Sequence, residues 1–105
     1  MDTSGGRRAL RRAEAVGVLR AHLSDLTSFG VKSLALFGSV ARDEAGPESD
    51  LDLLVDFEGP ATFDSYMGLK LYLEDLLGSP VDLVMRKALR PRMVPVVERE
   101  AVRVA

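Results

Sequence analysis

Asp50 and Asp52 carry the strongest chemical signal in the chain. They bracket Leu51 and open an apolar run, Leu53-Leu54-Val55. Strand side chains alternate between faces, so the two carboxylates share one face. Leu51, Leu53, Val55 and Phe57 take the other, toward a core. Like charges two residues apart on one face repel unless something compensates them. The simplest compensation is a divalent cation that favours hard oxygen ligands, such as Mg²⁺. Ten residues separate Asp50 from Ser39, which follows Gly38 at the end of another apolar run. Gly38 lets backbone approach a bulky ligand with no Cβ in the way. Ser39 is placed to cap Val40-Ala41-Arg42, whose N–H groups would then face an anion. Arg42 adds a guanidinium fork suited to phosphate oxygens. A phosphate cradle and a paired-carboxylate metal site thus meet in one short stretch. Together they suggest a metal-bound nucleoside triphosphate.

The elements that must position these groups follow from periodicity and punctuation. Residues 1–6 are small and polar and read as a disordered tail, leaving 7–105 as a single domain. From Arg7 to about Ser28 one helix is expected, with Ala9, Ala13, Val16, Leu19, Leu23 and Leu26 as its apolar stripe and Gly30 as its stop. Arg7, Arg8, Arg11 and Arg12 oppose the dipole at its start. They read as a solvated basic end or as a contact for an acidic partner or RNA. His22 lies on a polar flank, with no second histidine or cysteine to complete a metal site. Val31 to Phe37 is the first strand and Leu51 to Phe57 the second. Between them a loop turns at Gly46-Pro47. Thr62 is placed to cap a helix from Phe63 to Leu77, whose apolar face is Tyr66, Leu69, Leu73, Leu76 and Leu77. Gly78-Ser79-Pro80 ends it, and Val81 to Met85 is the third strand. Asp82 falls on the strand face opposite Val81, Leu83 and Met85. It is either a wet acid near a strand end or a partner of Asp50 and Asp52. A short helix from about Arg92 to Arg99 tolerates Pro95 in its first turn. Ala101 to Val104 returns as an edge strand. The fold class is therefore α/β (α+β): a small mixed β-sheet with helices packed on one face.

Composition excludes several classes. No apolar run approaches the roughly 20 residues that a bilayer crossing needs. The N-terminus lacks the apolar segment of a secretory signal. With no cysteine there is no disulfide framework or thiolate site, so a cytoplasmic protein is expected. The net charge of −2 is uneven: residues 43 to 58 hold seven acids and no base, while basic residues gather at both ends.

The pieces Gly38-Ser39, Ala41-Arg42 and Ser49-Asp50-x-Asp52-Leu53, in this order, resemble the signature of the DNA polymerase β-like nucleotidyltransferase superfamily. More closely, the stretch from about Val31 to Ala105 is similar to the minimal nucleotidyltransferases (MNT), antitoxin partners of HEPN toxins. Many relatives have glycine after the arginine; here the residue is Asp43. The resemblance implies a nucleotidyltransferase core. It places Gly38, Ser39, Arg42 and Ser49 at the nucleotide and makes Asp82 the third carboxylate beside Asp50 and Asp52, a catalytic residue and a metal ligand like them. Two Mg²⁺ ions about 3.5–4 Å apart would then stabilise the attacking and leaving oxygens of an in-line displacement. It further implies ATP as donor, AMP as the group transferred and a tyrosine of a partner HEPN toxin as acceptor, which silences that toxin. An MNT chain carries no extra domain to recognise its acceptor, so the partner is expected to bring that surface. Two rivals stand beside this reading: an antitoxin acting by binding alone, and a nucleotidyltransferase acting on a small molecule or RNA. No long basic groove favours nucleic acid as direct substrate.

Overall fold

The computed structural model describes residues 10–46 and 49–105. The tail at 1–6, the arginines at 7 and 8 and Pro47 of the expected turn lie outside them. In chain order the elements are α1 (Arg12–Arg20), α2 (Leu23–Ser28), β1 (Val31–Phe37), α3 (Gly38–Ala41), β2 (Leu51–Phe57), α4 (Phe63–Leu77), β3 (Val81–Met85), α5 (Val94–Glu100) and β4 (Val102–Arg103). The strands form one mixed sheet in the order β3-β2-β1-β4. β1 runs antiparallel to both β2 and β4, whereas β2 and β3 are parallel and are joined through α4.

Register sorts the side chains between faces. Leu36, Leu53 and Leu83 line up across three strands, as do Leu34 with Val55 and Leu51 with Val81. All are buried and share one core with Leu19 of α1, Leu26 of α2 and Leu69 and Leu73 of α4. The alternate rows emerge on the other face. One row is Phe37, Asp52 and Asp82; the next is Ala35, Leu54 and Val84. A leucine-rich helical face and an acid-bearing face are therefore direct consequences of period-2 patterning.

The bounds of β1, β2, α4 and β3 match the sequence expectation. Thr62 caps α4, its hydroxyl accepting the Ser65 N–H at 3.0 Å, and Gly78 closes it in the left-handed conformation at φ 65°. The single N-terminal helix is corrected. It is broken at Ala21-His22 into α1 and α2. His22 Nδ1–H donates to the Val18 carbonyl at 2.8 Å, the acceptor that its own backbone N–H would use in a continuing helix. That N–H turns to Leu19 O at 3.0 Å instead. The break also rotates the apolar stripe: Ala15 is buried, while Ala13 and Leu23 face solvent.

Candidate active site

The acid-bearing face ends at the β1–α3 junction. β1 runs through Phe37, so Phe37 takes the N-cap position and Ser39 lies inside the first turn of α3. The expected cap by Ser39 is thus displaced, and no side chain caps this turn. The Ser39 hydroxyl makes no hydrogen bond among the described residues and stays available to a ligand. Gly38 adopts φ +77°. A Cβ built there would overlap the Asp52 carboxylate, 2.9 Å from its Cγ. Glycine is required on two counts: the left-handed backbone and the seating of Asp52 against the chain.

Asp52 and Asp82 are paired in register across the parallel strands β2 and β3. Adjacent strands lie about 4.8 Å apart, so the two carboxylates stand side by side. Asp50 precedes β2 by one residue and is exposed, as is Asp82; Asp52 is half-buried. Burial pushes the Asp52 carboxyl above its ordinary value, reinforced by the charges of Asp82 and Asp50 and opposed by Arg42. Asp52 thus feels both neighbouring acids, with Arg42 acting against them.

Arg42, expected to reach phosphate, is held by two acids. Its Nε donates to Glu44 at 2.9 Å and an Nη to Glu100 of α5 at 3.0 Å. Its guanidinium is raised above its ordinary value, mainly by the Glu44 hydrogen bond. These contacts use two of its five N–H donors, and a triphosphate would compete with both acids for it. Ser49 closes the loop before Asp50: its Oγ accepts the Gly46 N–H at 2.9 Å, and its N–H donates to Gly46 O at 3.1 Å.

Asp43, where the family resemblance leads one to expect glycine, has φ +57°. An aspartate tolerates this region better than most side chains. Its carboxylate accepts the Arg12 N–H at 2.7 Å, at the start of α1, and Arg12 donates back to Ala41 O at 3.3 Å. Arg12 is therefore used within the fold. The glycine-to-aspartate departure was the one available signal for this contact. Sequence reasoning also missed Lys70 and Glu74. Lys70 Nζ donates to Glu74 Oε2 at 2.8 Å, and that same oxygen accepts the Val81 N–H at 2.9 Å, one residue before Asp82. The ion pair raises Lys70, which also feels the charge of Asp82, and lowers Glu74.

The donor set suits Mg²⁺: three carboxylates with hard oxygens and an unmet electrostatic demand at Asp52. Among the described residues, no three His, Cys, Asp or Glu side chains are already grouped to grip an ion. None of the three aspartate side chains accepts a hydrogen bond there. No described helix is long and apolar enough to cross a membrane.

Comparison with known proteins agrees with this geometry. The family profile "Nucleotidyltransferase domain" matches residues 18–104. Protein adenylyltransferase MntA of Thermococcus cleftensis is 44% identical over 90 residues, spanning 85% of this chain and 91% of that protein. A solved structure described as a candidate minimal nucleotidyltransferase is 43% identical, with a TM-score of 0.78 over 89% of this chain and 95% of that one. The fold alone is shared with a complex of tri-AMPylated Shewanella oneidensis HEPN toxin and MNT antitoxin, at 18% identity and a TM-score of 0.62, covering 86% of this chain and 71% of that one. The chain belongs to the nucleotidyltransferase domain family, within the group of minimal nucleotidyltransferases that includes protein adenylyltransferase MntA.

Proposed function

We propose that this nucleotidyltransferase is an antitoxin that transfers AMP from ATP to a tyrosine hydroxyl of a helical HEPN toxin. The observation that carries the reading is the pairing of Asp52 with Asp82 on one sheet face, beside Gly38 at φ +77°, whose missing Cβ leaves room for the Asp52 carboxylate. Bound Mg²⁺ would screen the triphosphate and lower the pKa of the attacking hydroxyl. Asp50, just before β2, and Asp52, the second residue of that strand, would hold that ion from one side, with Asp82 completing the set. The tyrosine oxygen forms a bond to the α-phosphorus, and the bond from that phosphorus to the α–β bridging oxygen breaks. Pyrophosphate leaves with the bonding electron pair. Asp82, exposed and free of hydrogen bonds among the described residues, accepts the phenolic proton. The Ser39 hydroxyl and the Gly38–Ser39 backbone receive the departing phosphates. Ser49 fixes the loop that delivers Asp50. Arg42 joins the phosphates in competition with Glu44 and Glu100.

The test is intact-mass analysis of a HEPN toxin that binds this chain after incubation with ATP and Mg²⁺, with an Asp50→Asn/Asp52→Asn double variant as control. Adenylyl additions that require both aspartates support the reading. An unmodified toxin that the double variant inhibits by stoichiometric binding would replace it with antitoxin action by contact alone.

A further inference from the structure

Among the described residues β3 lies at the edge of the sheet, with β2 as its one strand neighbour. Its five residues carry Asp82. Burial of Val81 and Leu83 forbids a one-residue slip, because that would turn both valine and leucine to the open face. A two-residue slip keeps every side chain on its face yet moves Asp82 by roughly 6.6 Å along β2. The apolar pattern alone therefore leaves the position of Asp82 open along the strand.

The free edge of β3 is not bare. Tyr66, Lys70 and Glu74 recur every four residues along α4 and so form one stripe of that helix. Glu74 Oε2 accepts the Val81 N–H at 2.9 Å. The Tyr66 hydroxyl donates to the Leu83 carbonyl. These contacts fall on backbone groups immediately before and after Asp82. Lys70 lies between them on the helix and holds the Glu74 carboxylate at 2.8 Å. Backbone groups at sheet edges are usually left to water; here two side chains of one helix take the pair that brackets the third carboxylate.

We propose that Glu74 and Tyr66 are positioning residues that clamp β3 on either side of Asp82 and hold it in register with Asp52, with Lys70 locking Glu74 in place. The clamp fixes only the β3 side of the site, leaving Asp50, Asp52 and the Gly38–Ser39 turn untouched. It rests on the reading of Asp82 as the third carboxylate.

The test uses the full chain and three variants: Glu74→Ala, Glu74→Gln and Tyr66→Phe/Glu74→Ala. Amide hydrogen exchange is followed by NMR, and adenylyl transfer is measured with the toxin. Opening of the clamp should speed exchange at Val81, which loses its acceptor, and at Asp82, which faces β2, about 10-fold or more, with β1 amides unchanged. In the double variant kcat should fall about 50–100-fold, since a displacement near 1 Å costs about that much, while KM for ATP stays within about threefold. Glutamine keeps a carbonyl oxygen for the Val81 N–H, so Glu74→Gln should recover transfer to within about fivefold of the parent. Exchange that rises equally in β1 and β3 would reduce the contacts to general stability and overturn the proposal. So would unchanged kcat in the double variant, or a glutamine variant as poor as alanine. If the parent chain transfers nothing, the adenylyl-transfer reading fails on its own, and selective exchange in β3 still supports the clamp.

Discussion

Gly38→Ala separates two costs that glycine hides. The first is backbone strain: a non-glycine residue at φ +77° costs roughly 1–2 kcal/mol. The second is steric. The new Cβ would overlap the Asp52 carboxylate, 2.9 Å from Cγ, so that carboxylate must rotate or β2 must shift. Gly59 provides the control, with φ +76° and no atom within 4 Å of its built Cβ. Gly59→Ala therefore carries the strain alone. Strain of this size lowers Tm by roughly 5–15 °C in a domain of about this length. Gly38→Ala should lose at least as much, and its transfer rate should fall about 100-fold as the carboxylate is displaced by the order of 1 Å. Gly59→Ala should keep transfer within about twofold once both proteins are assayed well below their Tm, since no atom of the site changes. Calorimetry beside a transfer assay gives both numbers. Equal Tm losses combined with near-parental transfer in Gly38→Ala would refute the argument that the Gly38–Asp52 contact sets the site.

Asp52→Asn should hold or raise the stability of the metal-free protein while transfer falls by orders of magnitude; Asp50→Asn should lose transfer likewise. The sign follows from the raised Asp52 carboxyl: its contribution to stability is full below the unfolded value of 3.8 and is lost as pH rises through the folded value, so the asparagine variant should lack that acid-side step in a Tm-versus-pH series. Asp82→Ala should bind Mg-ATP within a few fold of the parent by titration calorimetry yet transfer poorly, because Asp50 and Asp52 remain for the nucleotide; equal losses in both would move Asp82 into ground-state binding. Tyr72, whose hydroxyl donates to Asp25 at 2.7 Å, is pushed up to about 12, first by burial and then by that acid. Its stabilisation is intact below pH 10 and lost as pH rises from 10 toward 12. Tyr72→Phe should cost about 1 kcal/mol at neutral pH and remove that alkaline step.

The parts of the molecule legible in the sequence are those set by local chemistry. Alternation in β2 placed Leu51, Leu53, Val55 and Phe57 in the core and Asp52 outside it, because a two-residue period has no other solution on a half-covered sheet. Thr62 and Gly78 marked α4 because a hydroxyl at one end and a left-handed glycine at the other satisfy backbone groups within a single turn. What was hidden depends on partners far along the chain or on one side chain outvoting a pattern. Arg42 reads as a free phosphate fork until Glu100, 58 residues later, is brought to it. Glu74 reads as a solvated helix acid until the α4–β3 turn brings the Val81 N–H onto it. His22 ends α1 through a single ring nitrogen, which apolar periodicity cannot register.

The same register that makes the site also explains why it is costly and why the cost is confined. Asp52 and Asp82 are neighbours only because β2 and β3 are parallel and joined through α4; an antiparallel return would set a different residue opposite Asp52. The helix that permits this pairing also supplies Leu69 and Leu73 to the core below it and Tyr66 and Glu74 to the edge beside it. Repulsion among the acids therefore pushes against a strand anchored on its apolar face and at its edge, and it cannot be relieved by letting β3 slide. What remains free to move is the side chains: exposed Asp50 and Asp82, with Asp52 half-buried against Gly38. An arriving cation would then meet two exposed carboxylates, Asp50 and Asp82, beside one seated against the Gly38 backbone. Its binding would remove repulsion that the fold keeps in place, and it would do so without any strand having to move.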